Sequence, residues 1–275
     1  MSEKKVKING EFCGTIHELV DSGKVLECFA SRNSVGDVIA GHRGAARTCK
    51  GNATAGHDSA ASTINGNATA CDRGAACTCN GDATADDYSA ARTQEGNATA
   101  GNYSAARTFN GDATAANGSA ACTQEGNATA ANDSAARTFK GNATACDRCA
   151  ACAINGDATA VNYSAARTSV GDATAEDGSA ACTRDGDATA EDGSAACTQE
   201  GNATAGHGSA ARTSDGNATV GKRGVALGST VKLGNNSIGV IIDENGDIVK
   251  ICINSTNYEN MTIDFRTAGE NEEYK

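Results

Sequence analysis

Glycine returns at every fifteenth residue from Gly36 to Gly216, and the residues that follow each one repeat as a single phrase. Gly51-Asn-Ala-Thr-Ala-Gly-His-Asp-Ser-Ala-Ala-Ser-Thr-Ile-Asn65 is one copy, and Gly96-Asn-Ala-Thr-Ala-Gly-Asn-Tyr-Ser-Ala-Ala-Arg-Thr-Phe-Asn110 is another. Twelve copies run without a gap from Gly36 to Asp215, and a degenerate thirteenth occupies Gly216 to Thr230. A fixed period outranks a domain count drawn from chain length, because each repeat buries its apolar side only against its neighbours.

Numbered from its glycine, the phrase has Asn or Asp at position two in all 13 copies. Positions three to five read Ala-Thr-Ala in eleven of the twelve full copies, the first having Val38-Ile39-Ala40. Positions ten and eleven are Ala-Ala in all twelve, and position thirteen is Thr in eleven, Ala153 being the exception. Hydrophobic residues make up 39% of the chain, yet most are alanine, with five Phe, five Tyr and no Trp. Protein interiors are close-packed, and side chains this small fill an interior only where two backbones lie close together. The core must be a thin slab repeated along an axis.

The alternation of alanine with polar residues has period two, and glycine interrupts it once per copy, so helices do not fit. Helical repeats also run longer, at about 33–47 residues. The phrase divides into G-[ND]-A-T-A-x-x and x-S-A-A-x-T-x-x, each with room for one short strand and a turn. The expectation is an all-β fold, a flattened two-sheet parallel β-solenoid with 15-residue coils, capped at both ends. At a rise of ~4.8 Å per coil the array makes a rod on the order of 60 Å long. Chain-breaking proline is absent, and the 33 glycines supply turns. Alternation points positions three and five inward and two and four outward. In the second strand the arginines at position twelve (Arg47, Arg92, Arg107, Arg137, Arg167, Arg212) set the outward parity. Positions nine, eleven and thirteen then face in, with the threonine hydroxyls expected to bond their stacked neighbours.

The flanks differ in composition. Residues 1–35 gather Phe12, Ile16, Leu19, Val20, Leu26 and Phe29, as an end cap needs. Lys5–Ile8 and Glu11–Cys13 around Asn9-Gly10 read as a hairpin. Thr15 with Glu18 opens a short helix to about Asp21, and a strand follows from Val25. The solenoid is expected over 36–230. Residues 231–253 form a C-terminal β cap from Ser237–Ile242 and Asp247–Ile253, and 254–275 a polar tail.

Strings of Gly-Asn-Ala-Thr-Ala and Ser-Ala-Ala that end in Gly221-Lys-Arg-Gly-Val-Ala-Leu-Gly and Gly239-Val-Ile-Ile-Asp resemble repeat proteins encoded by bacteriophages and prophages. The likeness spans Gly36 to Ile253 and implies a β-solenoid, with no activity attached. A looser resemblance is to ice-nucleation and antifreeze solenoids, from which this chain departs in having one outward threonine per coil and no Thr-x-Thr pair. No apolar run follows Lys4 and Lys5, so the expectation is no signal peptide and no membrane span. That places the protein in the cytoplasm of a host cell, with virion association implied by the phage likeness.

The candidate binding ladder is the outward file Thr54, Thr69, Thr84, Thr99, Thr114, Thr129, Thr144, Thr159, Thr174, Thr189, Thr204 and Thr219. Beside it runs position two, with charges at Asp82, Asp112, Asp157, Asp172 and Asp187 that disturb an ice-matched lattice. Threonine also simply suits exposed strand positions. The Asn-x-Thr sequons at Asn52, Asn67, Asn97, Asn127, Asn142, Asn202 and Asn217 follow from the repeat itself. The 13 cysteines include Cys146, Cys149 and Cys152 in one coil and Cys71, Cys77 and Cys79 in another, too far apart to share a metal. Cys182 and Cys197 stand at position twelve of adjacent coils as a stacked thiol pair. Three of the four histidines (His42, His57, His207) sit at position seven, and His17 lies in the N-terminal flank. No cofactor, metal site or catalytic motif is expected.

With net charge −11 the chain does not grip nucleic-acid phosphates by charge. The expected function is that of a non-enzymatic structural or interaction rod that engages a protein or surface partner, with pairing of two rods through a sheet face. The alternatives are ice binding by the threonine ladder and inhibition of a DNA-binding enzyme by an acidic rod. The arginine file weakens the second.

Overall fold

The computed structural model describes residues 5–8, 11–15, 30–32, 34–243, 245, 247–254 and 261–264. Among them there is no helix, and the chain winds as a β-solenoid of about 14 turns. Two sheets run its length, one of 15 strands and one of 16. The first is built from the Ala-Thr-Ala segments, such as Ala98–Ala100, and the second from the Ala-Ala segments, such as Ala105–Arg107. Successive coils pair in parallel and in register, Thr84 opposite Thr99 and Arg92 opposite Arg107. Position fifteen adds a single-residue parallel bridge between coils, as at Glu95 and Asn110.

The faces fall as the alternation dictates. Ala98 and Ala100 are buried and Thr99 is exposed; across the slab, Ala106 is buried while Ala105 and Arg107 are exposed. Serine at position nine and threonine at position thirteen are buried with the alanines. The slab stays thin because the inward side chains of the central coils are nearly all Ala, Ser and Thr, with Cys149 in one serine position. Among the described residues, larger buried side chains stand toward the two ends of the array, Val38 at one and Val220, Val231, Leu233 and Ile241 at the other.

Two backbone features hold the corners of each coil. The glycine at position one lies at positive φ, between 106° and 142°. A side chain added at Gly141 would run into the carbonyl of Gly126 in the coil beneath. At position eight every coil passes through the left-handed region, at φ 53–59° for Arg, Asp and Tyr and 66–70° for Gly118, Gly178, Gly193 and Gly208. Gly and Asp suit that geometry, whereas the Arg and Tyr found there do not announce it.

The buried hydroxyls bond differently from the expectation. In eleven coils the position-thirteen threonine donates to the carbonyl of its own coil's glycine at 2.7–3.0 Å, as Thr108 does to Gly96. Stacked threonines repeat at ~4.8 Å, too far for a hydroxyl–hydroxyl bond of ~2.8 Å. The position-nine serine links two coils. Ser104 Oγ accepts from the Ser89 N–H at 2.9 Å and lies within 3.1 Å of the carbonyls of Asn102 and Asp86. The buried serine and threonine hydroxyls of the array therefore meet backbone partners.

At the N-terminal side Lys5–Ile8 and Glu11–Thr15 pair antiparallel. The short helix expected to Asp21 and the strand expected from Val25 lie outside the described residues, and Ala30–Arg32 forms the first strand of the second sheet. At the other side the parallel stack continues past Thr230. Thr230–Leu233 and Ser237–Ile242 make one more coil, with a repeat shortened to thirteen residues. Ile248–Asn254 then pairs antiparallel with Ser237–Ile242. Within the span expected to be a polar tail, Met261–Asp264 pairs antiparallel with Thr230–Leu233. Both parallel sheets thus finish on a reversed strand, which interrupts the template for further parallel addition.

Candidate functional site

The twelve threonines of the ladder stand in one unbroken in-register row, Thr54 to Thr219, on the outer face of the first sheet. Ten are exposed, and Thr69 and Thr219 are half-buried. Ile39 precedes the row in register and Lys232 follows it. Twelve residues at ~4.8 Å give a row on the order of 50 Å. Among the described residues their hydroxyls make no bond within the chain, which leaves them to solvent or to a ligand.

The neighbouring file at position two is committed. From Asp37 to Asn202, each Oδ1 accepts the backbone N–H of position two in the next coil, at 2.8–3.3 Å over twelve steps that end at Asn217. This is why only Asn and Asp occur there: both put a carbonyl-type oxygen at the reach the next amide requires. The consecutive acids Asp157, Asp172 and Asp187 each accept such a bond. The outward face of this sheet therefore carries one free row of hydroxyls beside one fixed row of amides and carboxylates.

The outer side of the second sheet is different. Between positions twelve and fourteen runs an open groove of about 980 Å³. Arg92, Arg107 and Arg137 line it together with Phe109, Phe139 and Gln124. The ion pairs among the described residues are His57–Asp72, Lys140–Glu125 and Arg184–Asp185, so these three guanidinium groups carry none. The sequence named the arginines but not the groove they share with the phenyl rings.

The histidines and cysteines are spread as position predicts. His42 stacks on His57 with ring centroids 5.0 Å apart. Cys149 replaces the buried serine of position nine, while Cys146 and Cys152 are half-buried. Burial pushes the Cys149 thiol up from its ordinary pKa, and does the same to Cys71 and Cys252. Among the described residues no group of three or more His, Cys, Asp or Glu is placed to hold a metal ion.

One surface had no signal in the period. At the end of the second sheet Val225 pairs with Ile238, Ile238 with Ile253, and Val240 with Ile251. Val225, Ile238, Ile251 and Ile253 are all exposed, where the array carries alanine and arginine. No family model matches the chain, and no curated protein or solved structure is similar to it.

Proposed function

We propose that the protein is a non-enzymatic rod that presents its threonine face to an extended macromolecular partner or surface. The observation that carries this reading is the row of twelve in-register hydroxyls with no partner inside the chain. The other regular hydroxyls, at positions nine and thirteen, are buried and engaged with backbone, so they serve the fold. The phage-repeat likeness of the sequence agrees with a structural or adhesive role, in a host cell or on a virion. The test is differential capture. Wild type and a Thr99→Lys/Thr129→Lys/Thr159→Lys variant are immobilised and exposed to host lysate and virions. A partner retained by the wild type and lost from the variant supports the reading, and retention by both contradicts it.

The same free row supports a second reading, ice binding, since a flat file of exposed hydroxyls and methyls can order water. The carboxylates of the adjacent file weigh against a lattice match. Thermal hysteresis at micromolar protein, abolished in the lysine variant, would establish it. An acidic DNA mimic draws less support, because the unpaired Arg92, Arg107 and Arg137 break the negative surface.

A further inference from the structure

In the second sheet, position twelve reads Arg167, Cys182, Cys197, Arg212 over four consecutive coils, each residue in register with the next. The two sulfurs thus stand on the same outward face, half-buried, and both are free thiols. Cys182 and Cys197 form the one in-register cysteine pair among the described strands, and it is bracketed by a guanidinium on each side.

We propose that Cys182 and Cys197 form a two-coordinate thiolate site for a soft monovalent d¹⁰ cation such as Cu(I). Soft cations select thiolates. Two thiolates on opposite sides of one ion sit at most ~4.6 Å apart if each metal–sulfur bond is no longer than the ~2.3 Å of zinc–thiolate, close to the strand repeat of ~4.8 Å. The ladder supplies that separation with little backbone movement. A disulfide requires the two Cβ atoms to close to ~3.8 Å, which in-register parallel strands at ~4.8 Å resist. The balance is simple: each thiol loses its proton to solvent, both sulfurs donate a pair to the cation, and the bis-thiolate complex carries one net negative charge. Arg167 and Arg212 face that charge from the two neighbouring coils. Ligation requires both sulfurs as thiolates, so metal uptake releases protons. This site is independent of the threonine face.

The test uses the fully reduced full-length protein under argon, with Cu(I) supplied as its bathocuproine disulfonate complex and the chelator in enough excess to leave single thiols empty. The expected result is withdrawal of one copper per chain, proton release on uptake, and an X-ray absorption spectrum with two sulfur neighbours. Cys182→Ser and Cys197→Ser each lose that copper, whereas Cys77→Ser/Cys79→Ser keeps it. Ser62 already occupies position twelve, so serine there leaves the coil intact, and an unchanged far-ultraviolet dichroism spectrum checks it. No withdrawal by the reduced wild type, or equal withdrawal by Cys182→Ser, overturns the proposal.

Discussion

The backbone N–H of Asn142 donates to Oδ1 of Asn127, one coil beneath it, at 3.0 Å. The same bond recurs along the whole array, so the position-two side chains form a rail that works beside the backbone ladder. Removing one rung leaves an exposed amide that water can solvate only in part. Asn127→Ala is therefore expected to lower stability by about 0.5–1.5 kcal/mol. Asn127→Asp keeps the acceptor and should be close to neutral. Urea denaturation of the two variants checks both values, and equal losses would remove the rail from the account.

Position one tolerates nothing but glycine for two reasons at once. Gly141 lies at φ 129°, and a Cβ there meets the Gly126 carbonyl. Backbone strain and the forced shift of the neighbouring coil together should cost about 2–4 kcal/mol in Gly141→Ala. The drop in melting temperature is the readout.

Position eight makes the opposite prediction. Arg148 sits at φ 58°, while Gly178 at the same position is at 67°. A left-handed non-glycine residue carries about 1–2 kcal/mol of strain, from which glycine's extra unfolded entropy must be subtracted. Arg148→Gly should gain roughly 0.5–1 kcal/mol by the same denaturation assay.

Cys149 stands where the array places serine, and its sulfur lies 2.9–3.1 Å from the Ser134 nitrogen and the Ala131 and Asp147 oxygens. Those are hydroxyl distances, tight for sulfur. Cys149→Ser should stabilise the fold by about 0.5–1.5 kcal/mol. The pH dependence has a definite sign. Burial raises the thiol's pKa in the folded chain, so its contribution is present in full below the unfolded pKa and is lost as pH rises through the folded value. Wild type should therefore lose stability at alkaline pH more steeply than Cys149→Ser, and parallel curves would contradict this.

Much of the architecture could be read from residue order alone. Gly at position one fixed the period, Ala98 and Ala100 around Thr99 fixed the faces, and the absence of bulk fixed the thinness. The threonine ladder followed from the same alternation. What stayed hidden depended on geometry that side-chain identity does not encode. Tyr163 and Arg148 in left-handed turns look like ordinary surface residues, and Thr108 gives no hint whether it bonds to a threonine or to Gly96. The thirteen-residue repeat before Ser237 was masked because Val225-Ala-Leu-Gly keeps the spacing of a normal strand, and the shortening falls in the turns that follow.

The account rests on the whole coil as the unit of folding, with each half belonging to its own sheet. Two internal deletions test it by melting temperature and far-ultraviolet dichroism. Excising residues 126–140 removes one complete coil, and Gly141 lands on Gly111 with every register kept. Excising only residues 126–132 removes half a coil and sends every later Ala-Thr-Ala strand to the wrong sheet. The larger deletion should keep the β spectrum and melt within a few degrees of the wild type, while the smaller one loses cooperative unfolding. If the half-coil deletion is tolerated as well as the whole-coil one, the stacked-coil account is wrong.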